Sequence, residues 1–302
     1  MTIDPHHFRS VVSVRSTVPD DAYTAEALGT VREGSGVVIR EDGLVLTIGY
    51  LITEAEEIWL TRHDGRVVAA HALAYDQETG FGLVQALGAL ELPALPFGDA
   101  ASARVGDPIV MADGQGHAVQ GAIVARQEFA GYWEYLLEDA IFTAPAHPSW
   151  GGAALIDADG RLLGIGSLRL QMSRGGEVAD INMAVPIDLL IPILDDLASQ
   201  GRVNKPPRPW LGAYSAESNG AVIVMSVSPG SPAARAGLRR GDVISDIRNE
   251  EGEGLADFYR KLWQSGSAGA EIPMRVVRDG REAWLRVKSA DRNDFLKRPQ
   301  LQ

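Results

Sequence analysis

Val37-Val38-Ile39-Arg40-Glu41-Asp42-Gly43-Leu44-Val45-Leu46-Thr47 is the stretch on which the reading of this chain turns. Two runs of β-branched and aliphatic residues flank Asp42-Gly43, a pair that accepts the backbone of a tight turn, so the stretch predicts a β-hairpin. The same pattern continues outward. Strands are expected at Glu57–Leu60, Val67–Tyr75, Phe81–Ala86, Pro108–Asp113, Val119–Arg126 and Tyr132–Glu138, then at Ala153–Ile156, Leu162–Leu170 and Asn182–Val185. Asp157-Ala158-Asp159-Gly160 supplies another hairpin turn, and Asp113-Gly114-Gln115-Gly116 fits a turn better than a phosphate-binding loop. Short strands at regular spacing, without helical periods between them, argue for barrels or sandwiches over a parallel α/β sheet.

The chain changes character near residue 187. Leu190, Ile191, Leu194 and Leu197 fall at helical spacing and predict a helix over Ile187–Ser199, with Gly201 as its stop. Asn204-Lys205-Pro206-Pro207-Arg208-Pro209 follows, a stiff linker that marks a domain boundary. Beyond it, strands at Ala221–Val227, Asp242–Arg248, Glu271–Arg278 and Ala283–Lys288 mix with helices at Pro232–Ala236 and Leu255–Ser265. A small α+β module fits. The expected domains are 1–201, a linker at 202–208, a second domain at 209–290 and a tail at 291–302.

Composition narrows the function classes. The 302 residues carry 28 basic and 40 acidic side chains, a net charge of −12, and no cysteine, which excludes disulfides, thiolate metal sites and a cysteine nucleophile. No apolar run approaches the ~18 residues of a membrane span. Residues 1–201 hold 11 basic and 28 acidic residues, whereas 202–302 hold 17 and 12. This asymmetry reads either as solubility or as electrostatic docking of one module on the other. No basic stripe interleaved with aromatics points to nucleic acid. His6-His7 lacks further ligands, so neither a metal nor another cofactor is expected. Met1–His7 has no basic and apolar leader pattern, so the expected location is the cytoplasm, or the periplasm if a natural leader precedes it.

Ser231-Pro232-Ala233-Ala234-Arg235-Ala236-Gly237-Leu238-Arg239-Arg240-Gly241-Asp242-Val243-Ile244 resembles the PDZ domain of HtrA-type serine proteases. Asn182–Ile187 and Trp210-Leu211-Gly212-Ala213 resemble the junction between protease and PDZ domains in that family. Gly34-Ser35-Gly36-Val37-Val38-Ile39, with Asp42-Gly43 and Leu46-Thr47, resembles its first barrel. The resemblance is colinear over roughly residues 8–290. It implies a mainly β fold: a trypsin-like double six-stranded β-barrel followed by a small α+β PDZ domain.

The motifs that carry catalysis depart from the family. Where members have the histidine base, Leu46-Thr47-Ile48-Gly49-Tyr50-Leu51-Ile52 places Tyr50. Asp76-Gln77-Glu78-Thr79-Gly80-Phe81-Gly82 places Gly80 at the orienting aspartate. Pro148-Ser149-Trp150-Gly151-Gly152, aligned on its glycine pair, places Trp150 at the nucleophile. A serine hydroxyl needs an adjacent base, and a tyrosine with a pKa near 10 is no base at neutral pH. Losing triad members costs roughly 10⁴–10⁶ in turnover. By resemblance one oxyanion donor is the N–H two residues before the serine, and Pro148 has none, a further loss of about 10²–10³. Ser149 is the rival nucleophile, one residue early, with His147, His63, His71 and His117 as candidate bases.

The reading is therefore of an inactive protease homologue, with an unorthodox endopeptidase using Ser149 and a structural adaptor with a closed groove as alternatives. The resemblance implies binding of peptide C-termini or unfolded proteins, a role in protein quality control, and either homotrimers through the segment near Phe8 or hetero-oligomers with an active relative. PDZ domains add a peptide as an extra strand and capture its carboxylate on backbone N–H groups. By resemblance the carboxylate loop is Trp210, Leu211, Gly212 and Ala213. The opposite wall is the helix carrying Leu255, Phe258, Tyr259 and Leu262, spaced to form one stripe that serves as groove lining or as domain core. Tyr50 and Trp150 either plug the old cleft or anchor a ligand in it. Arg208 is a further candidate for the carboxylate, or an exposed linker arginine.

Overall fold

A computed structural model describes residues 5–247, 250–251 and 253–297. The described residues pack as two compact units, one drawn from the stretches up to 127, 139–204 and from 296 on, the other from 128–138 and 205–295. Residues 128–138 thus lie within the protease-like stretch of the sequence but pack with the C-terminal unit.

The first unit holds two six-stranded closed barrels. One comprises β1 (Val11–Thr17), β2 (Val31–Arg40), β3 (Leu44–Ile48), β4 (Glu57–Thr61), β5 (Val67–Tyr75) and β6 (Phe81–Ala86), in the order β1-β2-β3-β6-β5-β4. The other comprises β7 (Pro108–Ala112), β8 (Ala118–Gly131), β9 (Tyr135–Ala144), β10 (Ala154–Ile156), β11 (Leu162–Arg174) and β12 (Glu177–Pro186), in the order β10-β11-β12-β9-β8-β7. The predicted hairpin forms with Leu46 opposite Val37 and Val45 opposite Val38. Its aliphatic side chains are buried, with Leu46 opposite Leu83, which removes apolar surface from water at about 25 cal/mol per Å². Barrel closure leaves no free sheet edge in either core.

The helix expected at Ile187–Ser199 is broken. Ile187–Leu189 and Ile191–Ile193 are 3₁₀ turns, and only α2 (Leu194–Gln200) is α-helical; α1 is the single turn Ala25–Leu28. Pro192 lacks the N–H that a continuous helix needs, and its ring crowds the preceding turn. Gly201 does end the helix, in a left-handed conformation with its N–H on the Leu197 carbonyl.

The second unit carries β13 (Ala213–Ser218), β14 (Ala221–Val227), β15 (Val243–Ile247), β16 (Glu250–Glu251), β17 (Glu271–Arg278) and β18 (Arg281–Lys288), in the order β13-β14-β15-β17-β18 with β16 on β15. The helices are α3 (Pro232–Arg235) and α4 (Leu255–Trp263). Ser231 caps α3 by accepting from the Ala234 N–H at 3.2 Å. Leu255, Phe258, Tyr259 and Leu262 are all buried in one cluster with Leu211, Val224 and Met274, so the α4 stripe is domain core. Among the described residues no helix is long and apolar enough to cross a membrane.

Candidate functional site

Between the barrels lies a cleft of about 510 Å³ lined by Arg15, Glu33, Tyr50, Asp113, Ser149 and Trp150 among others. Tyr50 stands on the 3₁₀ turn Gly49–Leu51 after β3, and its hydroxyl donates to the Ser167 carbonyl at 2.9 Å. Burial pushes this phenol well above its ordinary pKa, so it stays protonated and acts as a donor. Gly80 sits in the turn before β6 at φ 84°. Its carbonyl accepts from the Gly49 N–H at 2.7 Å and its N–H donates to the Asp76 carbonyl at 2.8 Å. The nearby carboxylate is committed to the same turn, since Asp76 Oδ2 accepts from the Thr79 N–H at 2.9 Å and hydroxyl at 2.7 Å.

Trp150 opens a glycine segment stitched to both barrels. Its carbonyl accepts from the Ala153 N–H at 3.1 Å, the Gly151 carbonyl from the Ser35 N–H at 2.8 Å, and the Gly152 N–H donates to the Gly166 carbonyl at 2.8 Å. A methyl group added at Gly151 would come within 2.8 Å of the Tyr50 hydroxyl. The residues at the three expected catalytic positions are thus a partly buried phenol, a turn glycine and an indole.

Ser149 and His147 are brought together through the backbone. The Ser149 N–H donates to His147 Nδ1 at 3.0 Å, which leaves the proton on Nε2, 3.3 Å from the His117 carbonyl. The fully buried His147 also donates its own N–H to Asn182 Oδ1 at 2.6 Å. Nδ1 therefore holds the 147–149 loop through a main-chain group, while Nε2 faces the His117 carbonyl and, at 3.9 Å, Asp113 Oδ2. His117 places Nδ1 3.2 Å from Asp113 Oδ2, His71 lies on β5 opposite Gln85, and His63 is exposed in the β4–β5 turn.

The second unit contains the segment expected to take a carboxylate, Trp210–Ala213. Trp210 and Ala290 exchange backbone hydrogen bonds of 3.0 and 3.1 Å, and Leu211 is fully buried. Gly212 has φ 76°, and a methyl group there would come within 2.4 Å of Ser231 Cβ, so only glycine fits. The loop is occupied. Glu134 Oε1 accepts from the Gly212 N–H at 2.7 Å and the Ala213 N–H at 3.0 Å, and Oε2 from the Leu211 N–H at 3.0 Å. Burial pushes Glu134 up to about 7, against the downward pull of these three N–H groups and of Arg292. Arg292 shares with Glu134 the lining of the small pocket at the loop. Arg208 instead stacks over Trp263, 4.4 Å from the ring centroid.

Glu134 is the site residue that sequence reasoning missed. Tyr132–Glu138 reads as one strand, whereas β9 begins at Tyr135 and residues 132–134 form the turn. An acidic residue inside an aromatic turn, Gly131-Tyr132-Trp133-Glu134-Tyr135, is the only sequence signal, and it names no partner.

Comparison with known proteins fits both units. A trypsin-like peptidase domain model matches residues 34–165, and a PDZ domain model matches 209–288. Serine endoprotease DegS of Haemophilus influenzae is 30% identical over 229 residues, covering 72% of this chain and 66% of its own. A probable periplasmic serine endoprotease DegP-like of Halomonas elongata is 25% identical over 279 residues, 87% of this chain and 57% of its own. The chain spans little more than half the length of several curated relatives it matches. Among solved structures, the serine endoprotease from Yersinia pestis shares the fold at 24% identity and a TM-score of 0.56, covering 96% of this chain and 98% of its own. The HtrA-type protease AlgW with tripeptide is 25% identical with a TM-score of 0.55, covering 99% of both chains. These names overturn the cytoplasmic expectation, because relatives from Halomonas elongata, Hahella chejuensis and Chlamydia muridarum are named as periplasmic. With both domain models in the expected order on the expected folds, the chain belongs to the HtrA-type family of trypsin-like serine protease homologues that carry a PDZ domain.

Proposed function

We propose that this chain is a catalytically inactive HtrA-like homologue that binds peptides or unfolded polypeptides, in the periplasm, without turning them over. The observation that carries the reading is the Tyr50 hydroxyl on the Ser167 carbonyl: the position expected to hold the base holds a hydrogen-bond donor instead. A nucleophile there has no proton acceptor. Trp150 and Pro148 support the same reading, one by lacking a hydroxyl and the other by lacking an oxyanion N–H. His147 does not rescue Ser149, since its Nδ1 already accepts from the Ser149 N–H. Binding remains open to the inter-barrel cleft, which needs no triad, and to the Leu211–Ala213 loop. Association with further copies through the segment near Phe8, or with an active relative, belongs to the same proposal and is checked by sizing with light scattering.

The test is turnover of fluorogenic unfolded casein by the wild type and Ser149→Ala, beside an active HtrA-type protease. Equal background from both forms supports the proposal. Cleavage that disappears in Ser149→Ala establishes the unorthodox endopeptidase instead. The structural-adaptor reading is favoured by one specific observation, the occupation of the carboxylate loop by Glu134.

A further inference from the structure

We infer that the β8–β9 hairpin is the resident ligand of this chain's own PDZ groove, with the Glu134 side chain in the place of a peptide's terminal carboxylate, so that an external carboxylate ligand binds only by displacing it. The regulatory half of this inference rests on the peptide-binding reading above; the occupation of the groove does not.

Three separate contacts make the hairpin a ligand rather than a neighbour. The first is the carboxyl group itself, which takes the amides of three consecutive loop residues, Leu211, Gly212 and Ala213. Converging N–H groups of this kind form an anion site, and they are the donors a terminal carboxylate would use. The second is a single backbone bond at the sheet edge. β13 ends the order of its sheet, and the Ser215 N–H on it donates to the Tyr132 carbonyl at 2.9 Å, a ladder bond that an incoming peptide would need. The third is α4, the opposite wall. The Tyr259 hydroxyl donates to the Gly131 carbonyl at 2.8 Å and accepts from the Glu134 N–H at 3.2 Å, clamping the turn on both sides of its tip. Leu136 joins the buried cluster of Leu211, Phe258 and Leu262, so the hairpin supplies an apolar side chain as well as a carboxyl.

The hairpin is built for this contact at some local expense. Glu134 adopts φ 60°, a left-handed conformation that few side chains other than glycine, asparagine and aspartate take up readily. That backbone turns the carboxyl into the loop. Arg260 on α4 reaches Glu128 at one foot of the hairpin and Glu138 at the other, so the charged flanks of both strands meet a single cation. A tethered ligand acts at an effective concentration on the order of millimolar, which suppresses weak external peptides without abolishing the site.

The experiment separates occupation from peptide binding. Hydrogen exchange on the full chain reads the amides of Leu211, Gly212 and Ala213 directly, in the wild type, in Glu134→Ala and in Tyr259→Phe, which removes the turn clamp without touching a loop amide. Fluorescence anisotropy then compares an N-terminally fluoresceinated Gly-Ser-Ala-Tyr-Leu free acid with its C-terminal amide. Occupation predicts strong protection of the three amides in the wild type and its loss in both variants, while β14 and β17 stay protected. Protection that is absent in the wild type, or unchanged in both variants, overturns the inference. If the hairpin is docked nine-tenths of the time, the free acid binds Glu134→Ala about tenfold tighter than the wild type, and the amide gains nothing. Equal binding of the free acid to both proteins overturns the displacement mechanism. Loss of protection with no binding of either peptide to any form retains the resident ligand and sinks the peptide-binding function instead.

Discussion

The Tyr50 hydroxyl and the Ser167 carbonyl, 2.9 Å apart, tie the turn after β3 of the first barrel to the β11 bulge of the second. This bond gives Tyr50 a structural task at the position where the resemblance expects a base. Tyr50→Phe leaves a carbonyl at the barrel junction without its donor, at about 1–2 kcal/mol. For a unit of this size the expected fall in Tm is about 3–6 °C, read by calorimetry. An unchanged Tm would mean that water replaces the hydroxyl without loss.

Installing histidine, aspartate and serine at the three expected positions is not expected to produce proteolysis. The combination Tyr50→His, Gly80→Asp and Trp150→Ser still carries Pro148, which has no N–H for the oxyanion, and it places aspartate on a backbone at φ 84°. Casein turnover by the triple variant should stay at the level of Ser149→Ala. Clear cleavage would show that the 147–150 loop rearranges to form an oxyanion site.

Asp242 supports the PDZ unit through an ion pair. Its two oxygens each lie 2.7 Å from the Arg278 guanidinium, and Oδ2 accepts from the Arg239 N–H at 2.8 Å. Burial alone would raise this carboxyl, but the Arg278 and Arg239 hydrogen bonds outweigh it and hold it below the usual aspartate range. The folded pKa is depressed, so the contribution is present above about pH 4 and is lost as pH falls through the lowered value. Asp242→Asn should cost about 2–3 kcal/mol near neutrality, and the difference from wild type should shrink in acid. Urea denaturation at pH 7 and pH 3 checks both.

Glu134 has the opposite sign. Burial raises its docked pKa to about 7, whereas a free glutamate titrates near 4.3. Docking is therefore strongest below about pH 4 and weakens as pH rises to about 7, by roughly 4 kcal/mol in total. Two groups face it: Tyr259, whose phenol burial raises far above that window, and the guanidinium of Arg292. Protection of the Gly212 and Ala213 amides, corrected for intrinsic exchange, should fall between pH 5 and pH 8 in the wild type. In Glu134→Gln it should be flat, and a matching pH dependence there would remove Glu134 from the explanation.

Most of the strands were legible because each carries its own evidence. Val37–Thr47 alternates strand formers around an Asp-Gly turn, and the structure folds it as a hairpin with Leu46 opposite Val37. The errors fall where a local pattern underdetermines the backbone. Ile187–Ser199 has helical spacing, yet Pro192 breaks it into two 3₁₀ turns and a short helix. Tyr132–Glu138 is a plausible strand by composition, and nothing nearby announces that residues 132–134 leave the ladder.

By itself, the local pattern of the sequence determined a run of short strands followed by an α+β module; the double barrel, and Tyr50, Gly80 and Trp150 at the expected catalytic positions, came from the resemblance to the HtrA-type family. Periodicity, turn chemistry and residue identity are local properties, and they persist whatever packs around them. Tertiary structure alone decided what those residues touch. Glu134 meets Gly212 across 78 positions, and the contact depends on a left-handed turn placing one carboxyl against three amides. Hydrogen bonds to backbone N–H groups carry no side-chain signature, so a groove filled by the chain's own hairpin leaves no pattern in the amino-acid order.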